Sequence, residues 1–181
     1  MDPGSVRRFE TWVNQRLGLC LTCCPRIPTD EVFHCFDIDP TAAVWLPMPD
    51  REHTADDMLA VGQDADWTFA IEGLTTRGSD ESILTKLSLV ANEAFSIAIT
   101  QSIKTFLYAE CGNMVSGIDL TVPTIRWGPA PHRFDRWLRS AGLLESTPDP
   151  ISGVARFIGS AFGFRIESAM LEGALPTARL S

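Results

Sequence analysis

AFSIAITQSIKTFLYAECGNMVSGIDL, residues 94–120, is the stretch whose reading decides how this chain folds. In its first part Phe95, Ile97, Ile99 and Ile103 alternate with small or polar residues. Successive side chains of a strand point to opposite faces, so this period of two predicts a strand with one face in a core. KTFLYAEC and MVSGIDL read as two further strands joined at Gly112-Asn113. Both joining residues tolerate positive φ, which suits a two-residue hairpin. The centre is predicted to be an antiparallel meander.

Toward the N-terminus, MLAVG and DWTFAIEG read as two strands. LTTRGSDESILTKLS then turns into a helix, with Ser79 as N-cap and Asp80 and Glu81 where the helix dipole favours negative charge. LPMPDREHTADDM combines prolines with clustered charge and reads as a loop. EVFHCFDID is expected to be a short buried strand ending at Asp39-Pro40. CLTCCPRIP is expected to be irregular, broken at Pro25 and Pro28. RRFETWVNQRLG places Phe9, Trp12, Val13 and Leu17 on one helical face, with Ser5 as N-cap and Gly18 as stop.

Toward the C-terminus, PHRFDRWLRSAG puts Phe134, Trp137, Leu138 and Ala141 on one face, and Gly142 ends the helix. Asp149-Pro150 opens a second helix as N-cap and first residue. Its buried stripe is Ile151, Val154, Phe157, Ile158 and Phe162, and Gly163 ends it. A last helical turn is expected over 167–171. Together these elements predict a single α+β domain: an antiparallel sheet of about five strands with helices packed against it. A helix over 6–17 precedes a sheet-rich centre over 31–120, and the part over 131–172 is helical.

The chain has 181 residues, 45% of them apolar and 21% charged, which suits one globular core. The net charge of −8 disfavours nucleic acid and anionic membranes as partners and favours a basic protein. No run of about 18 apolar residues predicts a membrane span. No apolar stretch follows the arginines of MDPGSVRRFETW, so no export signal is read and a cytoplasmic location is expected.

Four of the five cysteines, Cys20, Cys23, Cys24 and Cys35, lie within sixteen residues together with His34. Cys20 and Cys23 have the spacing of a zinc-ligand pair, but no second pair follows at matched spacing. His34 and Cys35 are adjacent in the expected strand and would point to opposite faces. A redox C-x-x-C needs the N-terminal end of a helix to lower a thiol pKa, and Cys20 follows the end of one. The cysteines are therefore expected to be small buried apolar residues, and His34 a core residue beside Val32, Phe36 and Ile38.

Arg133, Arg136 and Arg139 recur every three residues, with Arg126 just upstream, as a basic stripe fit for a phosphate, a carboxylate or an acidic partner. Trp67, Glu72, Glu110, Asp119 and Trp127 fall in or beside the sheet, where paired carboxylates would serve acid–base chemistry. Glu52, His53, Asp56 and Asp57 sit in the expected loop without a metal-site spacing. No phosphate-binding loop, dinucleotide fingerprint, serine-nucleophile elbow or zinc-protease motif is present. The residues expected to touch a ligand or partner are Trp67, Glu72, Arg126, Trp127, Arg133 and Arg136; no metal and no cofactor is expected.

DWTFAIEG, ILTKLS, FSIAIT, FLYAECGNMVSGID, and RWG followed by RFDRWLRSAGL resemble an uncharacterised family of domains of unknown function common in actinobacteria. The likeness runs from Leu59 to Leu144, and the flanks extend it over nearly the whole chain. It implies an α+β fold and no particular reaction. The chain departs from the pattern between Asp39 and Pro49, where the family leads one to expect a longer helix. The leading functional expectation is a non-catalytic, immunity- or antitoxin-like module that binds a basic partner. The alternative is a small-molecule-binding protein or cryptic enzyme of specialised metabolism, with Trp67 and Trp127 lining its pocket.

Overall fold

In a computed structural model describing residues 18–47, 57–73, 75–144, 150–165 and 173–180, nine strands and four helices follow one another. They are β1 (Gly18–Pro25), α1 (Thr29–Cys35), β2 (Val44–Leu46), β3 (Met58–Asp64), β4 (Trp67–Glu72), α2 (Glu81–Ala91), β5 (Glu93–Thr100), β6 (Lys104–Glu110), β7 (Asn113–Asp119), β8 (Arg126–Trp127), α3 (Asp135–Ser140), α4 (Pro150–Phe162) and β9 (Leu175–Arg179). The expected helix over 6–17 with its cap Ser5, the residues Glu52, His53 and Asp56, the cap Asp149 and the turn over 167–171 lie outside the described residues.

One sheet holds all nine strands, in the order β2-β9-β3-β4-β1-β5-β6-β7-β8, and every pairing is antiparallel. The expected meander is β5-β6-β7, and MLAVG and DWTFAIEG are β3 and β4. The count is about nine rather than five, and the sheet extends beyond 31–120 on both sides. Helices cover both faces. Phe95, Ile97 and Ile99 join Leu19, Leu21 and Phe106 in a core closed by Leu138, Val154, Phe157 and Ile158 from α3 and α4. The other face packs Leu59, Val61, Ala94 and Leu107 against Val32 and Phe33 of α1 and Ile83, Leu84 and Leu87 of α2. No helix among the described residues is long and apolar enough to cross a membrane.

Four local expectations are corrected. CLTCCP is regular: it forms β1, the middle strand, paired with β4 on one side and β5 on the other. A strand covered on both faces needs apolar residues on both and so reads as a continuous apolar run without alternation. EVFHC is helical, because Val32 and Phe36 sit one turn apart and Asp30 and Glu31 occupy a helical first turn. His34 is consequently exposed, away from the core. The β6–β7 hairpin turns at Cys111-Gly112, with φ of 49° and 78°, one residue before the expected pair. Helix α2 is capped at Asp80, not Ser79, and without a side-chain cap bond.

Beyond these, β9 falls in a segment that had not been read as a strand. Its Pro176 lies past the last β3 pairing, at Thr177, and faces only β2, so the missing N–H leaves the β3 ladder intact. β5 ends at Thr100, and Ile103 is 41% exposed in the following turn.

Candidate functional site: an aromatic cleft beside Glu93

Strand parity builds the site. Trp67 begins β4 on the face turned toward α3 and α4. On the same face, Glu93 begins β5 two residues before Phe95, and Glu110 ends β6 two residues after Tyr108. Register sets Glu93 opposite Glu110 and Phe95 opposite Tyr108. At this end of the sheet Arg133 and Phe134 approach from the turn that leads into α3, Trp137 from α3 itself, and Ala161 and Phe162 from the last turn of α4. Between sheet and helices they leave a cleft of about 280 Å³ lined by these residues with Trp67, Glu93 and Tyr108.

Phe162 is the hub of its rings. It stacks on Phe95 with centroids 4.2 Å apart and stands at 82° to Trp67. It also meets Phe134 at 5.4 Å and Tyr108 at 6.0 Å. The rings are tilted differently, so they wall the cleft from several sides. Aromatic pairs favour such offset and edge arrangements, which hold the walls in place.

A polar network spans the rim. The Tyr108 hydroxyl donates to Glu93 Oε2 at 2.8 Å and lies 3.5 Å from Glu110 Oε1. Arg133 grips Glu110 with both terminal nitrogens, at 2.7 and 3.2 Å, and its guanidinium sits 4.8 Å from the Tyr108 ring centre. Arg133 holds the Glu110 carboxyl below its ordinary pKa. Burial, and then the acceptor Glu93, push the Tyr108 hydroxyl far above its usual range, so it remains a proton donor. Arg133 and Glu110 cancel each other's charge, whereas Glu93 forms no ion pair among the described residues. Among the described residues this leaves Glu93 as the uncompensated charge beside the aromatic walls.

Of the six residues expected to touch a ligand, Trp67 and Arg133 line this cleft together. Arg126 is 10% exposed and pinned to Asp135 at 2.5 Å and to the carbonyls of Pro123 and Pro131. Arg136 stands over the Trp137 ring, 5.8 Å from its centre. Trp127 lies on the sheet edge across the backbone of Gly117, where any Cβ would come within 2.2 Å of the indole. Asp119 caps the turn at Thr121 and Val122.

Glu72 is on the opposite face of the sheet and 1% exposed. It accepts from the backbone N–H of Gly78 at 2.7 Å and of Arg77 at 2.9 Å, and from the Thr75 hydroxyl at 2.8 Å. Burial still outweighs those donors and raises its pKa. This carboxylate fastens the 75–80 segment to the sheet.

The sequence reading passed over Glu93, Tyr108 and the clustering of Trp137 and Phe162. A signal for them existed: Glu93 and Glu110 stand in the same parity as the core residues of their strands.

The cysteines do not converge. Cys20 and Cys23 are three apart on a strand and so face opposite ways; Cys23 enters one core, and Cys24 and Cys35 the other. All four are buried, and burial raises every one of these thiols, Cys24 to about 12. Among the described residues no three His, Cys, Asp or Glu side chains are gathered as a metal would require. A second cleft, of about 310 Å³, between α3 and α4 is lined by Ser140, Ala141, Arg156, Gly159, Ser160 and Arg165 and has no aromatic wall.

The chain matches no family model, no curated protein and no solved structure. Its functional reading rests on the geometry of the site.

Proposed function

We propose that this is a small-molecule-binding protein whose ligand occupies the cleft between the sheet and helices α3 and α4. The observation that carries the reading is the convergence of five aromatic side chains with Glu93, Tyr108 and Arg133 on one concavity. Ligand sites are mainly apolar hollows with a few placed polar groups, and about 280 Å³ suits a metabolite at the small end of that range. The polar groups favour holding over turnover. Tyr108 keeps its proton, and Arg133 is neutralised by Glu110. Membership of the actinobacterial family that the sequence resembles, and a cytoplasmic setting, belong to the same proposal.

A thermal-shift panel of metabolites tests it. At a hundredfold excess over Kd a ligand adds about 2.7 kcal/mol, roughly 5–10 °C in Tm for a chain of this size. The expected result is a compound that stabilises the wild type and not Trp67→Ala. Equal stabilisation of both proteins would place the ligand elsewhere.

The reading as an immunity- or antitoxin-like partner of a basic protein is favoured by a different observation. The net charge is −8, and Trp45 and Trp127, 71% and 39% exposed, stand on the two outermost strands. Titration against basic proteins encoded beside it, at low and high salt, tests that reading. A complex that dissolves in salt supports it, and no complex at low salt removes it.

A further inference from the structure

We propose that the aromatic cleft recognises its ligand through a cationic ammonium group, with Glu93 as counter-charge and the surrounding rings as a cation–π cage. This rests on the reading of the cleft as a ligand site and names the chemistry of what enters it.

Three observations converge. The first is charge. Among the described residues the cleft's cation is Arg133, and it is spent on Glu110, which takes both of its terminal nitrogens. Glu93 accepts, among the described residues, only from Tyr108, through Oε2, which leaves Oε1 for a ligand. The second is the rings. Aromatic faces carry negative potential and attract cations within about 6 Å of the ring centre. The protein already uses two of these rings that way, with the Arg133 guanidinium carbon 4.8 Å from the Tyr108 centre and 5.9 Å from that of Phe134. Trp67 stands at 82° to Phe162 and Trp137 at 47° to Phe134, so a cation inside would meet faces and edges from several directions.

The third is what the cleft disfavours. An anion would have to pull Arg133 from Glu110 and would still meet Glu93 as a like charge. A neutral ligand would cover Glu93 without compensating its charge, and an unpaired carboxylate removed from water is costly. A cation satisfies Glu93 and leaves the Arg133–Glu110 pair in place.

Isothermal titration of the full chain at low salt tests the proposal with choline chloride, its neutral isostere 3,3-dimethylbutan-1-ol, ethanolamine hydrochloride and sodium benzoate. Choline is expected to bind saturably and about tenfold more tightly than the isostere, the ratio that a moderate cation–π and ion-pair gain gives. Glu93→Gln should remove most of that ratio while leaving the isostere's affinity within about twofold. Trp137→Leu, which keeps an apolar wall but removes a π face, should weaken choline more than the isostere. Ethanolamine sorts the sources: comparable binding points to a primary amine held by Glu93, weaker binding to a quaternary one held by the rings. Both variants are first matched to the wild type in Tm, so that a lost fold is not read as lost binding. Choline binding no tighter than the isostere, or equal losses of both in Glu93→Gln, overturns the cation assignment. If benzoate or the isostere binds while choline does not, the assignment falls and the cleft still stands as a ligand site. If none of the four binds, the assignment also falls, and the thermal-shift panel decides the cleft separately.

Discussion

Glu72 shows how a single side chain can fix a segment of backbone. Its carboxylate accepts from two backbone amides and a hydroxyl, and Gly78 comes so close that a Cβ would lie 2.0 Å from Thr22 Oγ1 and 2.8 Å from Glu72 Oε1. Glu72→Ala would strand both amides and is expected to cost at least about 2 kcal/mol. Gly78→Ala is expected to cost about 1–3 kcal/mol through overpacking. Urea unfolding of the two variants checks both values. The raised pKa of Glu72 also sets a pH dependence. The folded state binds this proton more tightly than the unfolded state, so the group's contribution is greatest below its ordinary value of 4.5 and is lost as pH rises through the raised value. Stability curves of wild type and Glu72→Gln across that window should therefore differ in slope, with only the wild type carrying the decline. Nothing in the letters AIEG announces this role. It depends on the 75–80 segment folding back over the sheet, where Gly78 meets Thr22 of β1, a residue remote in the chain.

Among the elements, β1 is the middle strand, paired along both edges, and was the hardest to read. Its cysteines drew attention as possible ligands, yet in a strand they are wall residues of two cores. The consequence is chemical. Of five thiols only Cys111 is exposed, so a disulfide reagent should titrate one fast equivalent in the native chain and the other four only on unfolding. Cys111→Ser should abolish the fast phase, whereas two or more fast equivalents would contradict a buried β1. The helix α4 makes a complementary case. Phe157 is fully buried against Phe106 and Phe134, and Phe157→Ala is expected to cost about 3–5 kcal/mol. Ile103→Ala, in the exposed turn after β5, should stay within about 0.5 kcal/mol. The contrast is instructive about legibility. Periodicity alone located the meander, because large apolar residues alternate there with small or polar ones, and it located α3 and α4, because each has one wet face. It mistook α1 for a strand, because seven residues with three apolar positions are too few to tell the two periods apart. It missed β1 and β9, because one has no wet face and the other contains proline.

At the scale of the molecule, the antiparallel sheet is sandwiched between two helical layers, and the cleft opens where α3 and α4 fail to close over the ends of β4, β5 and β6. Trp67 and Arg133 could be singled out one at a time from the sequence, but what makes them a site is the pairing of Glu93 with Glu110 and the arrival of Phe162 from a helix about 50 residues further along. Such convergence is a property of topology and leaves no local mark. Tryptophan indoles report on it directly, because Trp67 and Trp137 line the cleft while Trp45 and Trp127 stand on the far strands of the sheet. The decisive measurement is a proton–nitrogen spectrum of the indoles during titration with a ligand that raises Tm. The cleft reading predicts that the Trp67 and Trp137 signals move along one saturable curve while those of Trp45 and Trp127 stay fixed. Movement confined to Trp45 or Trp127 would contradict it and return the protein to the reading of an interaction module.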